Sequence, residues 1–287
     1  MEMNVSNEHV DVAPQKKGGF NPAIILPVLF LVGVAIYLFI LGNPANFKVD
    51  PRVSGASVAF ADVESKDLHP ESFMGIIYMG GPIVPILIFF MVTVIVFSFE
   101  RYFVLGRAQG KGNLDSFVLK IRSLLNQNKV DEAIEECDRQ QGSVGNVVKE
   151  GLTTYKALAH DTTLDKEQKM VALNKAIEEA TTLEMPMLEK NMMILSTLGT
   201  VATLVALLGT VIGMIKAFFA LGSGGGTPDA AALSIGISEA LINTALGIGT
   251  SAIAIILYNF FTSKIDGLTY KIDEIAMSIQ QSFAEFH

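Results

Sequence analysis

Four long apolar runs alternate with segments whose apolar positions recur at helical spacing, which predicts an all-α chain crossing a membrane repeatedly. The runs cover residues 22–41, 73–99, 192–221 and 233–261. Each is at least the ~20 helical residues that a hydrocarbon core requires. Between the second and third runs, residues 100–191 read as a helical domain. Leu114, Phe117, Val118, Ile121, Leu124 and Leu125 share one helical face, continued by Val130, Ala133, Ile134 and Cys137. The stretch Gln141 to Gly145 interrupts this pattern with two glycines. A second helical stretch covers Val147 to Tyr155, and a third starts near Thr162 or Thr163 with Met170, Leu173, Ile177 and Ala180. Pro186 reads as a kink, so the expectation is one long helix running from this domain into the third span. Beyond the fourth span, Ile265, Leu268, Ile272, Ile275, Ile279 and Phe283 mark an amphipathic extension over residues 262–287. The expected fold is an all-α, polytopic membrane protein with long helices extending from the membrane into the cytoplasm.

Composition sharpens this picture. Half of the 287 residues are hydrophobic and 17% are charged, against about 25% charged in an average soluble domain. Basic residues set the orientation. Lys16 and Lys17 precede the first span, Arg101, Arg107, Lys111, Lys120 and Arg122 follow the second, and Lys264 and Lys271 follow the fourth. Residues 1–21, 100–191 and 262–287 are thus expected in the cytoplasm, and residues 42–72 and 222–232 on the other side. The first span exceeds a signal-peptide core, and no small-x-small cleavage site follows Leu41, so an uncleaved additional span is expected. A net charge of −8 with no basic, aromatic-interleaved patch excludes nucleic acid as a partner. Cys137 is the sole cysteine, and His9, His69, His160 and His287 lack metal-ligand spacing, so no metal or cofactor is expected. No nucleophile–base pair or nucleotide loop appears, and an enzyme is not expected. The segment Gly222 to Asp229 reads as a flexible turn, since no Gly-Lys-Ser/Thr follows it.

Candidate chemistry lies in the last two spans. Glu239 is the one charged residue between Leu233 and Phe261. A carboxylate there costs roughly 2.5–3.5 kcal/mol on insertion scales, so it faces a bundle interior or a wet path. At ~100° per residue, Gly236, Glu239, Ala240, Asn243, Thr244, Gly247, Thr250, Ser251 and Ala254 share one face. In the third span Ser196, Thr203 and Thr210 recur every seven residues beside Gly199, Ala206 and Gly213. Gly199, Gly213, Gly236 and Gly247 read as helix-packing positions. For Thr210 and Thr244, packing and an ion path both remain open. Lys216 points away from the stripe and is expected to snorkel to the headgroups. Neither span completes a pore alone, which suggests a cyclic homo-oligomer with the small faces inward.

The combination is specific. Leu207-Leu-Gly-Thr210-Val-Ile-Gly-Met, Ile237-Ser-Glu239-Ala-Leu-Ile-Asn-Thr244-Ala-Leu-Gly247 and Tyr258-Asn259 resemble the MotA/TolQ/ExbB proton-channel family, most of all its ExbB branch. Glu100-Arg101 at the inner end of span two, and Ile134 to Cys137 followed by Gly142-Ser143, fit as well. The resemblance runs from about Phe73 to the C-terminus and implies a pentamer in the inner membrane of Gram-negative bacteria. Such a pentamer surrounds single-span ExbD-like helices whose intramembrane Asp carries protons, and it drives a TonB-like protein. It also implies that Glu239, Thr210 and Thr244 line the proton pathway, with Asn243 and Thr203 beside them and Glu100 and Arg101 at the membrane boundary. Ala202-Thr203 stands where members often carry Ala-Pro, implying a straighter third span. A TolQ-like stator with another client, or a non-conducting scaffold, remains the alternative.

Overall fold

The computed structural model describes residues 21–49, 68–70, 72–222 and 230–286. The readings made above for residues 1–20, for most of segment 50–71 and for the Gly-rich turn 223–229 lie outside the described residues. The chain is a polytopic all-α membrane protein. Among the described residues four helical stretches are long and apolar enough to span a bilayer: Pro22–Leu41, Gly81–Ala108, Met192–Gly222 and Ala232–Phe286.

Helix α1 (Pro22–Ala35) starts at Asn21, whose side chain accepts from the Ala23 amide, and finishes in a π-helical turn over Ile36–Leu41. It lies along α3 (Val84–Ala108), where Gly33 sits against the Phe89 backbone and the Phe30 ring meets Phe89 edge-on. A short antiparallel ladder, β1 (Phe47–Val49) with β2 (Leu68–Pro70), is the one β element among the described residues.

The second apolar run is not one helix. Helix α2 (Phe73–Tyr78), capped by Ser72, ends at Met79, and a 3-10 turn over Gly81–Ile83 precedes α3. Gly80-Gly81-Pro82 explains the break: Gly81 takes φ +80°, open mainly to glycine, and Pro82 has no amide proton.

Beyond α3 a helical bundle forms from α4 (Leu114–Asn126), α5 (Val130–Gln140), α6 (Gly142–His160) and α7 (Lys166–Glu189). The interruption near Gly142 shrinks to one residue, Gln141 at φ +59°, and α6 begins at once rather than at Val147. Helix α7 starts later than expected because Asp165 and Gln168 form a reciprocal capping box.

The expected continuous helix from the bundle into span three is also corrected. Pro186 stays within α7, and the chain breaks at Lys190–Asn191, with Asn191 at φ +62°. Helix α8 (Met192–Gly222) then starts afresh. Glu100 and Arg101 explain where the break falls. Arg101 makes two 2.6 Å bonds to the Glu100 carboxylate and donates to the Met187 and Leu188 carbonyls at 3.4 and 3.3 Å. It thereby caps the last turn of α7. Asn191 donates to Glu100 at 3.4 Å, and both charged side chains are buried. Helix α9 (Ala230–Phe286) runs 57 residues unbroken, about 85 Å, through the membrane and into the bundle.

Candidate functional site

Helices α8 and α9 share the most extensive contact in the fold. Small residues make it possible. A Cβ placed on Gly213 would stand 2.8 Å from the Gly236 carbonyl and 2.9 Å from the Ala240 amide. Gly236 lies against Ala217, Gly247 against Ala206, and Gly199 against Ile255. The glycine and alanine stripes of the two spans thus face each other within one chain. The hydroxyls flank this seam: Thr203 is half-buried at its edge, and Ser196 is exposed.

Glu239 sits near the loop-side end of the seam, 4% exposed. Lys216 of α8 places its Nζ 2.8 and 3.0 Å from the two Glu239 carboxylate oxygens. This corrects the headgroup placement expected for Lys216. Its stem leaves α8 on the outer flank, yet four methylenes carry the ammonium back across to α9. The third wall is the α2–α3 break. A side chain at Gly81 would collide with the Glu239 carboxylate, and Asn243 donates to the Gly80 carbonyl at 3.0 Å. Irregular backbone at membrane depth is tolerated where protein groups satisfy it, as Asn243 does here.

One helical turn toward the bundle, the Thr210 and Thr244 hydroxyls bond each other at 2.5 Å across the seam. Each hydroxyl also lies within bonding distance of a carbonyl of its own helix, Thr210 of Ala206 and Thr244 of Ala240, so one of the two donates to the other threonine and that one donates to its carbonyl. Farther along, Ser251 donates to the Gly199 carbonyl. Asn243 Oδ1 and Thr250 Oγ1 are buried with no hydrogen-bond partner among the described residues. The structure therefore gathers Glu239, Asn243, Thr210 and Thr244 at one junction. Thr203 stands two turns from Thr210, and Glu100 with Arg101 forms a separate cluster at the other end of α8, beside the α7–α8 break.

Sequence reasoning missed Lys216 and the Gly80–Gly81 wall. A usable signal was present. Lys216 is the one charge in α8, Glu239 the one charge in α9 before Phe261, and both lie within a few turns of the same short connection. Two antiparallel neighbours bring such residues to similar depth.

These features define a helical membrane protein with one ion pair and a ladder of hydroxyls between its last two spans. Residues 140–274, which contain that seam, match the MotA/TolQ/ExbB proton channel family. The chain is 35% identical over 113 residues to the biopolymer transport protein ExbB of Xanthomonas campestris pv. campestris, covering 39% of this chain and 44% of that one. It is 40% identical over 84 residues to ExbB of Helicobacter pylori, covering 29% and 57%. The Tol-Pal system protein TolQ of Pseudomonas aeruginosa is 26% identical over 211 residues, covering 72% and 90%. The ExbB matches thus span about half the length of those relatives. Over these residues the chain is similar to the MotA/TolQ/ExbB proton channel family.

Proposed function

We propose that the chain is the proton-channel (stator) subunit of an inner-membrane motor. It couples proton-motive force, through an ExbD-like single-span partner, to a TonB-like protein and outer-membrane import. The observation that carries this reading is Glu239, a buried carboxylate beside a bonded threonine pair in the span that the family match covers. An intramembrane acid with hydroxyl neighbours suits proton exchange. The working unit in this reading is a ring of copies, five by family resemblance, with both termini and the α4–α7 bundle in the cytoplasm, where the basic flanks favour them. Residues Glu239, Thr210, Thr244, Asn243 and Thr203 carry or border the proton path, and Gly199, Gly213, Gly236 and Gly247 hold its wall.

The test is proton flux in liposomes holding the chain with a single-span partner that bears a mid-membrane Asp. Glu239→Gln should abolish flux and coupled uptake while the oligomer assembles normally. Wild-type flux in that variant would make Glu239 structural. The TolQ match covers 90% of that relative, which favours a second client reading. A Tol-type partner pulled down in place of a TonB-type one would decide for it.

A further inference from the structure

We propose that Lys216 is the positioning residue for Glu239: it holds this carboxylate ionised and in place, and protons reach Glu239 past its ammonium. The inference rests on the proton-channel reading given above and assigns a role to a residue outside the hydroxyl stripe.

The geometry is asymmetric. The Glu239 side chain is 6% exposed, while that of Lys216 is 50% exposed. The Lys216 ammonium bonds both carboxylate oxygens. On the α2–α3 side Glu239 meets the backbone of Gly81, with no room for a side chain. Its neighbour Asn243 is neutral and committed to the Gly80 carbonyl. Among the described residues, Lys216 is the charged group facing Glu239 from any of the packed elements. A buried carboxyl without an opposing cation takes its neutral form, because burial penalises charge. Lys216 is therefore the charge that compensates the buried Glu239 carboxylate. Its flexible stem is the part of the pair that can move, since the carboxylate is walled in by backbone.

Infrared spectroscopy of the full chain in lipid tests this, with the Glu239 band assigned by subtracting the Glu239→Gln spectrum. Wild type and Lys216→Arg should show the ionised carboxylate at pH 7. Lys216→Met should move that intensity to the protonated carboxyl region, with helicity and oligomer size unchanged and proton flux lost. Lys216→Arg should restore flux at least in part. A carboxylate band that persists in Lys216→Met overturns the proposal. Should Lys216→Met fail to accumulate, Lys216→Met/Glu239→Gln decides. Recovery of folded protein is expected because both charges are then gone, and continued loss overturns the pairing. The band position is read whether or not protons flow. A shifted band with no wild-type flux would therefore sink the channel reading and leave the Lys216 assignment standing.

Discussion

Helix α9 passes through two environments and is held differently in each. Inside the membrane its contact residues are Gly236, Ala240, Asn243, Gly247, Ser251 and Ala254, all small or polar. In the bundle large apolar residues dominate, Phe261, Ile265, Leu268, Ile272, Ile275, Ile279 and Phe283, with Ala276, Ser278 and Ser282 buried between them. The change follows from the solvent. Lipid is as apolar as leucine, so helices there gain by close backbone approach and by hydrogen bonds such as Thr210–Thr244. Water outside rewards burial of area, about 25 cal/mol per Å². One helix thus carries two packing codes, and the switch falls where Phe261 meets the bundle.

The sharpest way to break the bundle half of this contrast is Phe283→Ala. Phe283 is fully buried, with its ring 4.9 Å from that of Tyr155 and nearly perpendicular to it. The expected loss is about 3–5 kcal/mol, read as a lower thermal midpoint and faster proteolysis within α4–α7. An unchanged midpoint would contradict the large-residue code. The membrane half breaks by overpacking. Gly213→Leu should cost about 1–3 kcal/mol and lower the yield of folded protein in detergent, whereas Gly267→Leu, with no atom near its Cβ position, should be neutral or better. Equal effects of the two would dissolve the distinction. Polar contacts in the seam weigh less still. Thr210→Val or Thr244→Val should cost about 0.6 kcal/mol, leaving oligomer size unchanged while proton-coupled uptake stops. Normal uptake would leave both as packing residues.

The smallest effect concerns Cys137 in the bundle. Burial, with Asp138 and Glu136 adding and Lys149 opposing, pushes its thiol up to about 12. The folded state then holds its proton at higher pH than the unfolded chain. This contribution is complete below the ordinary thiol range and declines as pH rises toward 12. At pH 8 a maleimide should leave Cys137 unlabelled until denaturant is added, because the thiolate is the reactive form. Rapid labelling of folded protein would show an opening bundle.

Periodicity made much of this legible. The apolar stripe over Ile265 to Phe283 is the buried face of α9, and the small stripe around Glu239 is its buried face in the membrane. Periodicity reports which face is buried, not which neighbour covers it. The small stripes of spans three and four alone suggest faces turned to a central axis, whereas in the chain they meet each other. Lys216 was misplaced for a related reason. A helical wheel fixes the direction of Cβ, while a lysine ammonium can travel beyond that direction to a neighbouring helix. The break at Gly80–Gly81 carries a local signal, Gly-Gly-Pro, that reading the segment as one apolar run passes over, while the break at Lys190–Asn191 carries none. The second break depends on Arg101, far away in sequence, donating to the last carbonyls of α7.

The unbroken course of α9 gives the molecule a lever. Glu239 and Phe283 stand on the same rod, roughly 66 Å apart. No proline or break between them takes up a rotation. A one-degree tilt pivoting at Glu239 carries Phe283 by about 1 Å, the scale on which a packed aromatic pair must slide or part. The Tyr155–Phe283 contact therefore stands at the far end of the rod from the Glu239–Lys216 pair, where any tilt of α9 is largest.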